Sequence, residues 1–155
     1  DGIRDISVWL EFRRVLFRST LQVCCTINVF NVYYLATVAN WISTQGFDYV
    51  YWKMMHDAYY FSISTLPETA KAAITERLLT ADIPDKFKDD FKRTAEFMNK
   101  GNSLDGQLLR MNLRDLDSKR QQNLADVEPE FAKLIDYDFN RQWVLSTLSL
   151  NITQH

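Results

Sequence analysis

One stretch, residues 22–56, constrains the fold more than any other part of the sequence. Residues 22–29 are rich in β-branched residues and cysteine, which suit a pleated, buried strand. An apolar stripe at helical spacing follows, formed by Leu35, Val38, Ala39 and Ile42. Gly46 predicts the end of this helix, and residues 48–55 return to strand character. A strand, a short helix and a second strand in so little chain indicate a βαβ unit, with two parallel strands and a right-handed crossover.

The rest of the chain carries helical patterns, so the predicted fold class is α/β, a β-α-β unit followed by a C-terminal helical region. The sequence TLPE predicts a helix start in which Thr65 is the N-cap and Glu68 completes a capping box. In the helix that follows, Ala70, Ile74 and Leu78 form the inward stripe. Lys71 is assigned to the outward, charged face. Further apolar stripes predict three more helices, over about residues 87–98, 104–119 and 129–135.

The first residues need a separate interpretation. LEFRRVLFRS, residues 10–19, reads like the in-frame translation of a sequencing adapter, so we treat residues 1–19 as a non-native segment. The alternative is a short amphipathic helix. If the adapter interpretation holds, we expect the native protein to continue upstream of Thr20. We therefore divide the chain into the adapter-like segment, the βαβ part, the helical region and a tail whose pattern fits a strand or a helix, at residues 1–19, 20–62, 63–135 and 136–155.

The overall charge narrows the classes of partner. The formal net charge is -2, which gives no reason to expect a nucleic-acid or anionic-membrane surface, since either needs a basic patch. No apolar run approaches the roughly 20 residues that span a bilayer, and residues 1–19 lack the features of a signal peptide. We therefore expect a cytoplasmic protein without nucleic-acid or membrane partners.

The predicted strand ends carry the candidate site residues. Thr26, Asn28 and Asn31 lie at or just after the end of the first strand, and His56 follows the second. The carboxyl ends of parallel strands are where α/β folds place ligand contacts. The more ordinary role for Asn31, which we favour, is to cap the following helix. His56 is a candidate acid or base, but a structural role is favoured because no nucleophile or second ligand is visible beside it.

The two cysteines of the chain, Cys24 and Cys25, are neighbours whose side chains point to opposite faces of a strand. Adjacent cysteines do not supply the spaced thiolates of a zinc or iron-sulfur site. We expect two small buried side chains in a reducing compartment, and we predict no metal ligand. No nucleophile with a base and no phosphate-binding glycine loop is found, so no catalytic residue is assigned.

Several landmarks occur in a recognisable order along residues 21–135. They are a helix opening with NV after a strand, the strand FDYVYWKMMHD, the helix start SISTLPE, the helix end EFMN and the block LRDLDSKRQQNLADVEPEF. The last block is the most specific and includes Asp117, Arg120, Gln122 and Asn123, followed by PEF at residues 129–131. In this order and spacing the chain resembles the C-terminal half of twitch-type radical S-adenosylmethionine proteins.

The resemblance implies a partial (β/α) barrel, of which the two strands here would be late members. In the family, a CxxxCxxC loop binds a 4Fe-4S cluster that reduces bound S-adenosylmethionine and generates a 5'-deoxyadenosyl radical. This chain has no CxxxCxxC, so we expect no cofactor in the chain itself. By position, Thr26, Asn28 and Asn31 would lie near the cofactor or substrate mouth, with Met55 and His56 on the adenine side.

The resemblance thus predicts an inactive C-terminal fragment whose parent enzyme uses S-adenosylmethionine, a 4Fe-4S cluster and an electron donor protein. The substrate of the parent is unknown, and a peptide is one candidate. The alternative hypothesis is a small, non-catalytic helical interaction module.

Overall fold

The computed structural model describes residues 20–101 and 106–138, which form a mixed α/β arrangement. Two strands, β1 (Gln22–Ile27) and β2 (Tyr49–Met54), flank helix α1 (Leu35–Thr44). The helices that follow in the described residues are α2 (Glu68–Leu79), α3 (Lys88–Lys100), α4 (Gln107–Arg120), α5 (Leu124–Val127) and α6 (Pro129–Leu134). None of the helices in this part of the chain combines the length and the apolar character of a membrane span.

The two strands pair in parallel, in a register that runs from Gln22 opposite Tyr49 to Ile27 opposite Met54. The predicted β-α-β order is therefore confirmed, and the hand of the crossover stays a prediction. Gly46 lies two residues after the end of α1 and has a φ of 70°, a left-handed conformation that glycine adopts at little cost. The interpretations of residues 1–19 and of the tail from residue 139 onward fall outside the described residues.

The sheet is buried on one face. Its inner residues include Ile27 and Trp52, which pack toward the core, whereas the alternate residues are exposed on both strands. These exposed residues are Gln22, Cys24, Thr26, Tyr49, Tyr51 and Lys53. The expectation that both cysteines are buried is wrong for Cys24, because the helices in the described part of the chain cover only the opposite face of the sheet.

The core lies between the inner face of the sheet and the helices. Leu35, Ala39 and Ile42 of α1 are buried, as their spacing predicts, and Val38 of the same stripe is partly buried. Helix α2 contributes the predicted stripe of Ala70, Ile74 and Leu78 and packs against α3. Phe87, just before α3, and Phe91, Ala95 and Met98 of α3 are buried in the same core. Burial of this shared apolar surface is the main favourable term that holds strands and helices together.

Lys71 of α2 corrects the sequence prediction. Its side chain is 1 % exposed, and its Nζ donates a hydrogen bond of 2.8 Å to the carbonyl oxygen of Gly101, just beyond the end of α3. Burial lowers the pKa of Lys71, and the nearby Glu68 carboxylate acts in the opposite direction. Helical periodicity predicted an outer position for Lys71 because it contains no information about distant segments. The segment at the end of α3 covers this side of α2.

The start of α2 also differs from the prediction. Thr65 is not the N-cap: its Oγ1 donates to the carbonyl oxygen of Ser62 at 2.9 Å, inside a 3-10 turn at Ile63–Thr65. The helix begins at Glu68, and Pro67 occupies the N-cap position without a side-chain hydrogen bond. The reason is Pro67, which disfavours helical conformation in the residue before it, and Leu66 is extended with a ψ of 148°.

A buried carboxylate joins the last elements. Asp117 Oδ2, in α4, accepts hydrogen bonds from the backbone N–H of Leu124 at 2.8 Å and from the hydroxyl of Tyr137 at 2.6 Å. Tyr137 is 4 % exposed, and its backbone N–H also donates to the carbonyl oxygen of Ala132. Asp117 therefore fixes the start of α5 and the segment after α6 to the end of α4.

Candidate functional site

The carboxyl end of β1 is held by two asparagines. Asn31 Oδ1 accepts from the N–H of Asn28 at 3.0 Å, and Asn31 Nδ2 donates to the carbonyl oxygen of Thr26 at 2.8 Å. Asn28 Oδ1 accepts from the N–H of Phe30 at 2.9 Å. Asn31 stands at the N-cap of the 3-10 turn that precedes α1 but makes no side-chain cap there. The favoured prediction of a helix cap is wrong, because the Asn31 amide is turned back onto the strand.

The end of β2 carries the remaining predicted site residues. Met55 is half-buried, and its N–H donates to the carbonyl oxygen of Ile27 at 2.9 Å, which places it beside the end of β1. His56 is exposed and packs edge-to-face against Phe97 of α3, with ring centroids 5.3 Å apart. Thr26, Asn28, Asn31 and Met55 thus meet at one sheet end through backbone hydrogen bonds. His56 contacts α3 instead.

An open cleft of about 780 Å³ follows β2. All residues of 50–54 line it, so both faces of the strand contribute. His56 lines it at the end of the strand, and Asp90 and Arg93 line it from α3. The cleft therefore runs along the outer edge of β2, with α3 as its second wall, and reaches over the exposed face of the sheet to Cys24 of β1.

Side-chain contacts of Trp52, Met54 and His56 fix the direction of α3 relative to β2. Trp52 packs edge-to-face against Phe87 and Phe91, at centroid distances of 5.4 and 6.1 Å. One step further along both elements, Thr94 Oγ1 lies 4.0 Å from Met54 Sδ. His56 on Phe97 is the third step. Strand and helix thus run in the same direction, and this packing carries Asp90 and Arg93 to the side of the cleft.

The charges around the cleft differ in sign from the chain as a whole. Lys53 on β2 and Arg93 on α3 supply two cations, and Arg93 forms an ion pair with Asp90, the one carboxylate among the lining residues. The formal net charge of the whole chain is -2. The cleft is therefore a local region of excess positive charge, with the His56 imidazole at one end.

Sequence reasoning singled out His56 but missed Lys53 and Arg93. They lie 40 positions apart in the sequence, and each is indistinguishable from an ordinary solvated charge. The signal that would have found Arg93 is the aromatic stripe of α3. Once Phe87 and Phe91 are placed against β2, the helical period puts Asp90 and Arg93 at the flank of that contact.

The cysteines do not fit an iron-sulfur cluster. Cys24 and Cys25 are adjacent, on opposite faces of β1, and the sequence contains no third cysteine. Burial raises the pKa of the Cys25 thiol, with a smaller contribution from Cys24, and a raised pKa disfavours the thiolate that metals bind. In residues 20–101 and 106–138, no three histidine, cysteine or acidic side chains come together as a metal site.

The strand-end residues offer little to a nucleotide cofactor. The side chains of Asn28 and Asn31 already bond the local backbone, so their use by a ligand would require these bonds to break. The exposed hydroxyl of Thr26 and the imidazole of His56 remain accessible.

Comparison with known proteins adds no assignment: no family model, curated protein or solved structure matches this chain.

Proposed function

We propose that this chain is the C-terminal part of a twitch-type radical S-adenosylmethionine enzyme. In this proposal β1 and β2 are late strands of a partial (β/α) barrel. The observation that supports it is the pair of parallel strands with an exposed outer face, because parallel sheets occur almost only where both faces are covered. The ordered landmarks from residue 21 to residue 135 support the same proposal.

On this proposal the chain alone is inactive. Its two cysteines do not fit the 4Fe-4S cluster, so the cluster, the bound S-adenosylmethionine and the electron donor protein belong to the parent enzyme. Thr26, Asn28 and Asn31 would stand at the mouth of the parent's site, with Met55 and His56 on the adenine side. The substrate class is open, with a peptide as one candidate, and the parent acts in the cytoplasm.

Anaerobic reconstitution of the purified chain with iron and sulfide tests the inactivity. We expect no charge-transfer absorbance from a cluster and no 5'-deoxyadenosine from S-adenosylmethionine under reducing conditions. A brown protein that cleaves S-adenosylmethionine would overturn this prediction.

The reading frame upstream of Thr20 in the source DNA tests the ancestry. We expect a CxxxCxxC motif about a hundred or more residues before it, since the missing strands of a half barrel need that much chain. A start codon next to Thr20 would contradict the proposal.

The second candidate function is a non-catalytic interaction module. The observation that favours it is the open cleft along β2, which joins a sheet edge, a helix wall and two cations. The upstream reading frame distinguishes the two candidates.

A further inference from the structure

We propose that the cleft between β2 and α3 binds an extended peptide segment with acidic side chains, which adds to β2 as a third strand. The inference depends on neither candidate function, because it uses only the edge of β2, the wall formed by α3 and the charges between them.

The first step concerns the backbone of β2. The N–H of Tyr49 donates to the carbonyl oxygen of Leu21, just before β1, and the N–H of Met55, just after β2, donates to the carbonyl oxygen of Ile27. The N–H and C=O groups of the odd-numbered residues of β2 therefore point toward β1. In a strand this direction alternates, so the N–H and C=O groups of Val50, Trp52 and Met54 point away from β1, along the edge that lines the cleft. Within the described residues, no hydrogen bond is made to the backbone N–H or C=O groups of Val50, Trp52 or Met54.

The second step distinguishes the two edges of the sheet. On β1 the corresponding edge carbonyl of Thr26 already accepts a hydrogen bond from Asn31 Nδ2, which blocks strand addition at that end. On β2, α3 runs alongside the free edge in the same direction and provides a wall. A groove between a strand edge and a helix is a recurrent way to hold an extended peptide, in which backbone hydrogen bonds give affinity and alternate side chains give specificity.

The third step concerns the chemistry of the peptide. β2 has six residues, so a segment of about that length, roughly 20 Å when extended, would pair with it. Side chains on one face of that segment would lie beside Lys53, and those on the other would meet the α3 wall, where Arg93 is already paired with Asp90. Lys53 is therefore the cation left to bind an acidic side chain. Opposite charges on neighbouring strands attract, and like charges repel. Glutamate or aspartate at alternate positions is therefore favoured.

Fluorescence anisotropy with the full chain tests the inference. The probe is a fluorescein-labelled eight-residue peptide in which valine alternates with glutamate, and the matched control peptide has lysine in place of glutamate. We expect binding of the glutamate peptide, weakened by added salt, and affinity for the lysine peptide lower by about tenfold or more. Equal affinity for the two peptides would overturn the role of Lys53.

Two N-methylated forms of the glutamate peptide test the strand geometry. Each carries N-methyl groups on one alternate set of amides, and only one set faces β2. We expect one form to lose binding and the other to keep it, because an N-methyl amide donates no hydrogen bond. If both forms bind like the parent peptide, the peptide does not add as a strand.

Variants of the chain locate the site. Lys53→Glu should weaken binding of the glutamate peptide by about fivefold, the upper range for an exposed ion pair. Lys133→Glu, an exposed residue of α6 outside the cleft, changes the net charge equally and should leave the affinity within about twofold. Peptide-induced shifts in the amide NMR signals should centre on residues 50–54. Equal effects of the two variants, shifts confined to β1, or a dimer that occupies the β2 edge and excludes the peptide would each refute the proposal.

Discussion

The backbone at Gly101 passes close to Ser64. The substitution Gly101→Ala, which adds one methyl group, tests how strongly this close approach restrains the fold. Gly101 has a φ of −79° and a ψ of 153°, ordinary for any residue, so glycine is not needed there for its conformational freedom. A Cβ at this position would lie 2.4 Å from the Cβ of Ser64 and 2.7 Å from its carbonyl oxygen. Neither atom is the end of a flexible side chain. Replacement by alanine must therefore push the end of α3 away from the turn that precedes α2.

The expected cost follows from two opposing terms. Forcing an extra carbon into a packed site costs about 1–3 kcal/mol, and the lower entropy of the unfolded chain with alanine returns about 0.4–1 kcal/mol. Displacement of the Gly101 carbonyl also lengthens the hydrogen bond from buried Lys71, which increases the loss. We expect Gly101→Ala to lower the free energy of unfolding by about 1–3 kcal/mol.

Urea unfolding followed by circular dichroism measures this free energy, and Ser64→Gly provides the matched background. Removing the Ser64 side chain abolishes the 2.4 Å contact and leaves the carbonyl contact. In that background Gly101→Ala should cost less, with a coupling energy of about 1 kcal/mol. If Gly101→Ala is as stable as the parent chain, or if its cost is the same in both backgrounds, the close approach does not restrain the fold.

Two further predictions concern the end of α4. Gln121 follows the helix in a left-handed conformation with a φ of 52°, and its N–H bonds the carbonyl oxygens of Asp117 and Ser118, so Gln121→Gly should raise the unfolding free energy by roughly 0.5–1 kcal/mol in the urea experiment. Tyr137→Phe removes the bond to buried Asp117 and should cost about 1.5–3 kcal/mol near neutral pH. Burial and the bond to Asp117 raise the pKa of the Tyr137 phenol. This stabilisation is therefore fully present below the unfolded value of about 10 and is lost as the pH rises above it, so the parent and Tyr137→Phe curves should converge at alkaline pH.

The sequence predicted what is local. The order of strand, helix and strand, the end of α1 at Gly46 and the buried stripe of α2 all follow from spacing within about a dozen residues, and each is present. These features depend on the period of the apolar pattern and on one backbone conformation. Neither requires knowledge of which element packs against which.

The wrong predictions each depend on a distant neighbour or on a competing bond. Lys71 was assigned to solvent because its partner, Gly101, lies 30 positions away. Asn31 was assigned to a helix cap because asparagine is a common N-cap residue. Its amide can equally bond the preceding strand, and the structure shows that it bonds the carbonyl oxygen of Thr26. Cys24 was assigned to the interior because free cysteines are usually buried, whereas its exposure depends on which face of the sheet the helices cover. Lys53 and Arg93 were missed for the same reason as Lys71, because the sequence does not show that residues 40 positions apart line one cleft.

The two adjacent cysteines differ in exposure, so their rates of modification by a thiol reagent can report how often the sheet opens. Cys24 faces outward and is exposed, while Cys25 faces inward, is half-buried and has a raised thiol pKa. A thiol-specific reagent therefore modifies Cys24 at a rate set by the surface of the cleft, since Cys24 is among its lining residues. It reaches Cys25 mainly when β1 separates from the helices beneath it. The ratio of the two modification rates reports how often the sheet opens while the chain as a whole stays folded.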